Sequence, residues 1–269
     1  MPDTQNAILL AAFGSRLPGA EASLDAIRAR AAELYPDWRV ETALTSGTVR
    51  RHKGAHTSQG QSPEDILKGL QRQGVKRLAV QSLHVIPGDE YKSLERLVAG
   101  LSASQAGPQG FEGISLGRPL LGNAADVRLV AQTLLTVLPP ARKPGEAVLL
   151  MGHGTRGRAN GVYQDLADEL RALDPLVLIG ALEAEPGLAA KVDELRSLGA
   201  STVHLMPLLF ARGVHATRDM AGEGKNSWRA GLTNAGFACE THVKGAGEQP
   251  ALADIWLAHL REAVERLSA

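Results

Sequence analysis

Cysteine is nearly absent from this chain. Its 269 residues include one, Cys239, so an intramolecular disulfide is excluded and a cysteine-rich zinc site lacks its ligands. Cys239 reads as a core-strand residue, the common place of a free thiol. Net charge is absent too, since 29 Lys and Arg balance 29 Asp and Glu. No global field then favours nucleic acid or an anionic membrane, and a polyanionic ligand must be gripped by local arginines. No apolar run approaches the ~20 residues of a membrane span. The N-terminal stretch has no basic segment and enters a short apolar run, Ala7–Phe13. That pattern reads as a first strand and not as a secretion signal, so a cytoplasmic protein is expected.

What the chain has is a repeat. Ala7–Ser15 reads AILLAAFGS and Ala147–Thr155 reads AVLLMGHGT, an offset of 147 − 7 = 140 residues. The apolar pattern and the small-residue turn are kept, but Phe13 in one copy faces His153 in the other. A second pair, Arg77–Glu90 (RLAVQSLHVIPGDE) and Thr202–His215 (TVHLMPLLFARGVH), sets Glu90 opposite His215. At about 150 residues per domain the length fits two domains. The expected boundary is 140/141, in the Pro-rich charged segment Pro139–Glu146, with the last helix, 250–267, free to pack back on the first lobe.

Short apolar runs alternate with amphipathic segments, the pattern of β/α units around parallel sheets. Strands are expected at Ile8–Phe13, Arg39–Ala43, Arg77–Leu83, Gly113–Leu116, Ala147–Gly152, Leu176–Gly180, Thr202–Pro207 and Phe237–Val243. Helices are expected at Ala20–Leu34, Pro63–Gln73, Tyr91–Leu101, Ala124–Leu138, Val162–Leu173, Gly187–Leu198, Ser227–Ala235 and Pro250–Leu267. Ser62-Pro63-Glu64-Asp65 supplies an N-cap, a first-turn proline and acidic residues at the positive dipole end. Ser46–Gln61 reads as a long loop whose His52 and His56 face solvent. The fold class is α/β: two similar three-layer lobes, each a mostly parallel sheet flanked by helices, with the active-site cleft between them.

In open α/β sheets, ligands bind beyond the carboxyl ends of the strands. Three segments of the second copy occupy such ends. Gly152-His153-Gly154-Thr155 places an imidazole at a glycine-rich turn. Gly152, Gly154 and Gly157 have the G-x-G-x-x-G form, but no acidic strand end about 20 residues on completes a dinucleotide site, so no nucleotide is expected. Gly180–Pro186 offers Glu183 directly after its strand, whereas Glu185 stands before Pro186 and suits the positive end of the next helix. Pro207–Glu223 carries His215 in a loop with Arg212, Arg218, Asp219 and Glu223. Two imidazoles and a carboxylate suit a divalent first-row ion, Co²⁺, Fe²⁺, Ni²⁺ or Zn²⁺, and three protein ligands leave positions open for chemistry or metal transfer.

The motifs ILLAAFGS, QSLHVIPGDEY (Gln81–Tyr91), GHGT (Gly152–Thr155), the strand end bearing Glu183, and GVHATRDMAGE (Gly213–Glu223) resemble those of the anaerobic sirohydrochlorin cobaltochelatases of the CbiK type, within the class II chelatases that include ferrochelatases. The resemblance spans essentially the whole chain. It implies that His153, Glu183 and His215 hold the metal, although ALEAEP departs from the glycine and small polar residue the family has around the glutamate. It implies ATP-independent insertion of Co²⁺ into sirohydrochlorin, with release of two protons, in cobalamin biosynthesis, and leaves Fe²⁺ (towards sirohaem) or Ni²⁺ open as the metal. His153 and Glu183 are then the catalytic pair, His153 being the candidate proton acceptor. Phe13, Ser15, Leu83, His84, Glu90 and Phe210 are the expected substrate-binding residues. Arg16, Arg156, Arg158, Arg212 and Arg218 are available to the carboxylates of the substrate.

Two rival readings remain at this level. A zinc-dependent hydrolase also uses His and Glu ligands, but there is no HExxH helix. A non-catalytic tetrapyrrole or metal carrier fits two lobes as well. Exposed helices leave a homo-oligomer open.

Overall fold

The computed structural model describes residues 5–53, 61–103, 110–155 and 157–268; His56 and Arg156 lie outside them. Strands β1 (Asn6–Ala12), β2 (Arg39–Leu44), β3 (Arg77–Ser82) and β4 (Gly113–Gly117) form one sheet in the order β2-β1-β3-β4. Strands β5 (Ala147–Gly152), β6 (Val177–Ala181), β7 (Thr202–Pro207) and β8 (Ala238–Thr241) form a second in the order β6-β5-β7-β8. All pairings are parallel. The helices are α1 (Ala22–Leu34), α2 (Gly47–Lys53), α3 (Pro63–Arg72), α4 (Asp89–Ala103), α5 (Ala124–Thr136), α6 (Gly161–Leu173), α7 (Leu188–Ser197), α8 (Trp228–Asn234) and α9 (Pro250–Glu265). None is long and apolar enough to cross a membrane among the described residues.

The strand positions follow from burial on both faces. Every residue of β1 and of β5 is buried, as continuous apolar runs of a parallel sheet covered on two sides require. In the first sheet Ala7, Leu9, Ala11, Leu78 and Val80 pack with Leu67 and Leu70 of α3 and Leu94 and Val98 of α4. In the second, Leu149, Met151, Val203 and Leu205 pack with Leu195 of α7 and Trp228 and Leu232 of α8.

Two expectations are corrected. The chain divides into compact units Met1–Leu120 with Ala253–Ala269, and Leu121–Leu252; the break lies ahead of α5 and not in Pro139–Glu146, because α5 packs on α6 and belongs with the second sheet. Within the first unit, α9 is tied down by Trp256 Nε1 donating to the carbonyl of His84 (3.2 Å), by Ser115 Oγ donating to the carbonyl of Ala263 (2.5 Å) and by an Arg118–Glu262 ion pair. The supposed loop Ser46–Gln61 begins as helix α2. Ser46 Oγ accepts from the Val49 amide, Val49 is buried, and Arg50 donates to the carbonyls of Leu44 and Thr45 at 2.7 Å each. His52 is exposed. Cys239 lies half-buried on the edge strand β8.

The two units repeat one backbone design at the strand tips. After β1, the Thr45 amide donates to the Ala12 carbonyl (2.8 Å) and the Ser46 amide to the Phe13 carbonyl (3.3 Å). After β5, the Leu182 amide donates to Gly152 (3.0 Å) and the Glu183 amide to His153 (2.9 Å). Gly14 and Gly154 close the two turns at φ +89° and +84°, where a side chain would be strained. Leu83 donates to Ala11 and Leu208 to Met151 in the same way (2.8 and 2.9 Å).

Two residues set the second turn. Tyr163, on α6, is buried, and the backbone amides of Gly154 and His153 lie on its hydroxyl; burial pushes that hydroxyl up to about 12. A Cβ at Gly152 would stand 2.7 Å from Cζ of the Tyr163 ring, so ring and glycine are matched. Gly152→Ala should therefore cost about 1–3 kcal/mol by overpacking. A urea midpoint equal to wild type would contradict this fit.

In the first unit His84 is boxed between hydroxyls: Nε2 is 3.0 Å from Thr45 Oγ1 and Nδ1 is 2.9 Å from Ser82 Oγ. Burial lowers its pKa to about 4. A folded pKa below the ordinary 6.5 means that the unfolded chain binds the proton first, so this stability is complete above about pH 6.5 and is lost as pH falls towards 4. Between pH 7 and pH 5 the wild type should lose about 2 kcal/mol more than His84→Gln. Parallel losses in urea unfolding would remove His84 as the cause.

Candidate metal centre

Three strand exits of the second unit converge. His153 follows β5, Glu183 follows β6, and His215 opens a π-helical turn, His215–Met220, after β7. One ligand atom from each lies within 4.8 Å of the other two. His153 Nε2 is 4.0 Å from Glu183 Oε1, and the two imidazoles meet edge to face with centroids 4.7 Å apart. The Glu183 amide bond to the His153 carbonyl extends the β5–β6 ladder to the site, which sets the two side chains side by side.

Each histidine has one nitrogen already committed. His153 Nδ1 lies 3.1 Å from the carbonyl of Gly154, and His215 Nδ1 lies 2.7 Å from Asp219 Oδ2. Both partners accept, so both rings carry their proton on Nδ1 and present Nε2 to an ion. This is the arrangement in which a carboxylate or carbonyl orients a metal-binding imidazole. Asp219, which the sequence places only in the same loop as His215, is thus the hydrogen-bond partner of its ring. Its signal is the i, i+4 spacing from His215, which a helical turn converts into contact. The ligand side chains are partly open, His153 and His215 about one-third exposed and Glu183 59 % exposed, so an ion held here has free coordination positions.

The second glutamate has other work. Glu185 Oε2 accepts from the Gly187 amide at 2.8 Å, at the start of α7, and its carbonyl accepts from Asn160 Nδ2. The carboxylate sits where the helix end favours negative charge. Glu183 is left facing the histidines.

The remaining expected residues divide. Phe13 is 39 % exposed at its strand tip. Ser15 Oγ accepts from the Leu17 amide, and Glu90 lies in the first turn of α4. Leu83 is fully buried and Phe210 nearly so, and packing accounts for both; neither presents an open ring-binding face. His84 spends both ring nitrogens on Thr45 and Ser82. Arg16, Arg158, Arg212 and Arg218 are exposed.

Comparison with known proteins agrees across the chain. The profile of the cobalt chelatase (CbiK) family matches residues 6–265. The chain is 41 % identical over 270 residues to the sirohydrochlorin cobaltochelatase CbiKC of Nitratidesulfovibrio vulgaris, covering 99 % of this chain and 93 % of that protein. It is 33 % identical over 262 residues to the sirohydrochlorin cobaltochelatase of Salmonella typhimurium, covering 97 % of each. Among solved structures, SirB from Bacillus subtilis with Fe³⁺ superposes with a TM-score of 0.64 at 17 % identity, over 96 % of this chain and 95 % of that one, a likeness of fold. With the strand order, the converging strand exits and the full-length match in view, the chain belongs to the cobalt chelatase (CbiK) family.

Proposed function

We propose that this protein inserts Co²⁺ into sirohydrochlorin without ATP, exchanging the two pyrrole N–H protons of the macrocycle for the metal. The observation that carries the proposal is the approach of His153, Glu183 and His215 within 4.8 Å in a chain matched over its length by sirohydrochlorin cobaltochelatases. Two nitrogens and one oxygen, with positions left open, suit a first-row divalent ion that must be released and not retained. The family relatives favour Co²⁺ as the metal substrate, and this donor set does not by itself exclude Fe²⁺ or Ni²⁺.

The hydrogen bonds constrain the order of events. Pyrrole N–H groups are weak acids and need a base at close range. With Nδ1–H of His153 given to the Gly154 carbonyl and that of His215 to Asp219, each ring has one lone pair, on Nε2. A ring holding Co²⁺ through Nε2 has no site for a pyrrole proton. His153 therefore takes a proton only after the ion has moved towards the macrocycle. Glu183, with two carboxylate oxygens, serves metal and proton at once and bridges the exchange. His215, braced by Asp219, holds the ion while His153 changes partner. Exposed Arg158, Arg212 and Arg218 supply charge-assisted contacts to the peripheral carboxylates.

Insertion is followed by the change in the sirohydrochlorin absorption spectrum under anaerobic conditions. His153→Ala and His215→Ala should each lower the rate by about 10²-fold or more, the scale of lost general-base catalysis. Near-wild-type rates in both folded variants would end the assignment. Asp219→Asn keeps the shape but weakens the brace, and should cost roughly 10–100-fold in Co²⁺ affinity or rate. Glu185→Gln should insert metal at close to the wild-type rate; a loss matching that of Glu183→Gln would exchange the roles of the two glutamates. Adding Co²⁺, Fe²⁺ and Ni²⁺ in competition then ranks the metals.

A further inference from the structure

The second sheet contains another group of metal-binding side chains, away from the strand tips. His204 lies inside β7, paired in register with Val148 of β5 and Glu240 of β8. Val148 is five residues before His153, so at about 3.3 Å per residue this group lies roughly 16 Å back along the sheet. His204 is a histidine where neighbouring strand positions are apolar, and it is 1 % exposed. Its side chain points to the face opposite Val203 and Leu205, which belong to the α7–α8 core.

The surroundings of His204 are polar and directional. Nε2 lies 2.9 Å from Oε2 of Glu146, and Glu146 Oε2 also accepts from the Lys143 amide at 2.8 Å. Nδ1 lies 3.1 Å from His242 Nε2 and 3.5 Å from Glu240 Oε2. The His204 and His242 rings are stacked, with centroids 5.3 Å apart and planes 28° apart. One ligand atom each from His204, Glu240 and His242 lies within 4.8 Å of the others.

This is the chemistry of a metal site with its supporting residue in place. Glu146 fixes the His204 proton on Nε2 and so leaves the Nδ1 lone pair aimed at His242 and Glu240, as a carboxylate does behind a metal-bound imidazole. Bonds of about 2.1 Å put adjacent ligand atoms roughly 3 Å apart in an octahedron and about 3.4 Å apart in a tetrahedron, and the separations here are 3.1 and 3.5 Å. Without metal, the same atoms form a chain in which His242 Nε2–H donates to His204 Nδ1. On metal binding that proton moves to Nδ1 of His242, so both rings stay neutral and both present a lone pair. Glu240 is 57 % exposed, which gives an ion access and leaves positions for water.

We propose that His204, His242 and Glu240, backed by Glu146, form a second site for a divalent first-row transition ion, which clips the short edge strand β8 to β7. The ion here is resident and structural, in contrast to the metal substrate at the strand tips. The proposal does not depend on the reading of His153, Glu183 and His215.

Co²⁺ itself is the probe. The full-length, tag-free chain carrying His153→Ala and His215→Ala is titrated anaerobically, and bound metal is counted by equilibrium dialysis with elemental analysis. One saturable Co²⁺ per chain is expected, with a rise in Tm on addition of the metal. Adding Glu240→Gln, an exposed substitution that leaves packing intact, should weaken that binding at least tenfold; adding His242→Ala should abolish both the binding and the Tm rise. No saturable Co²⁺ on the His153→Ala/His215→Ala chain would overturn the second site, as would binding unchanged by Glu240→Gln and His242→Ala. In the wild type the strand-tip substitutions should remove one further Co²⁺, and that difference reports on the first site alone.

Discussion

The backbone hydrogen bond from the Glu183 amide to the His153 carbonyl, with its neighbour from Leu182 to Gly152, carries the parallel ladder of β5 and β6 beyond the strands. A metal site assembled from loops would have to hold each donor separately against thermal motion, at a cost in conformational entropy for every ordered residue. Here two of the three candidate donors inherit their spacing from the sheet. The third, His215, comes from the next strand over and is braced by Asp219 in its own helical turn. The glycine-rich turn after β5 is fixed from below by Tyr163, whose ring fills the space a Cβ at Gly152 would need. The site's precision is therefore a property of buried backbone and packing, while its donors remain open to solvent.

Much of this was legible in sequence because parallel sheets write themselves as short apolar runs. β5 and β7 fall at Ala147–Gly152 and Thr202–Pro207, where their apolar patterns place them, and the offset repeat announces that two sheets share one plan. The histidines at the strand exits stand out because glycines surround them. Other features were hidden for identifiable reasons. Helix α2 lies in a polar, basic stretch with no apolar periodicity beyond Val49, and it forms because Ser46 caps it and Arg50 reaches back to two carbonyls. The unit boundary escaped because a Pro-rich segment looks like a linker, whereas it is α5, an ordinary amphipathic helix, that changes allegiance. Leu83 and Phe210 were expected at the ring as apolar side chains; both are buried in packing.

The second histidine group illustrates a different limit. Glu146, His204, Glu240 and His242 come from three parts of the chain, and none belongs to a recognisable spacing. His204 in particular reads as one polar letter in a core strand. Only the register of β5, β7 and β8 brings the four together. A buried histidine whose two nitrogens each face a defined partner is costly to maintain unless every polar group is satisfied, and here hydrogen bonds satisfy them without an ion.

The matched hydrogen bonds at the two sets of strand tips separate frame from chemistry. Phe13 and Ser46 occupy, bond for bond, the places of His153 and Glu183, with the same left-handed glycine after each first residue. The first unit thus repeats the main chain of the His153 turn with different side chains mounted on it. A duplicated gene that begins with such a frame can gain or lose a ligand by single codon changes, with no loop to rebuild and no sheet to re-register. In this fold the difference between the two turns is a matter of which side chains are mounted on a common chassis.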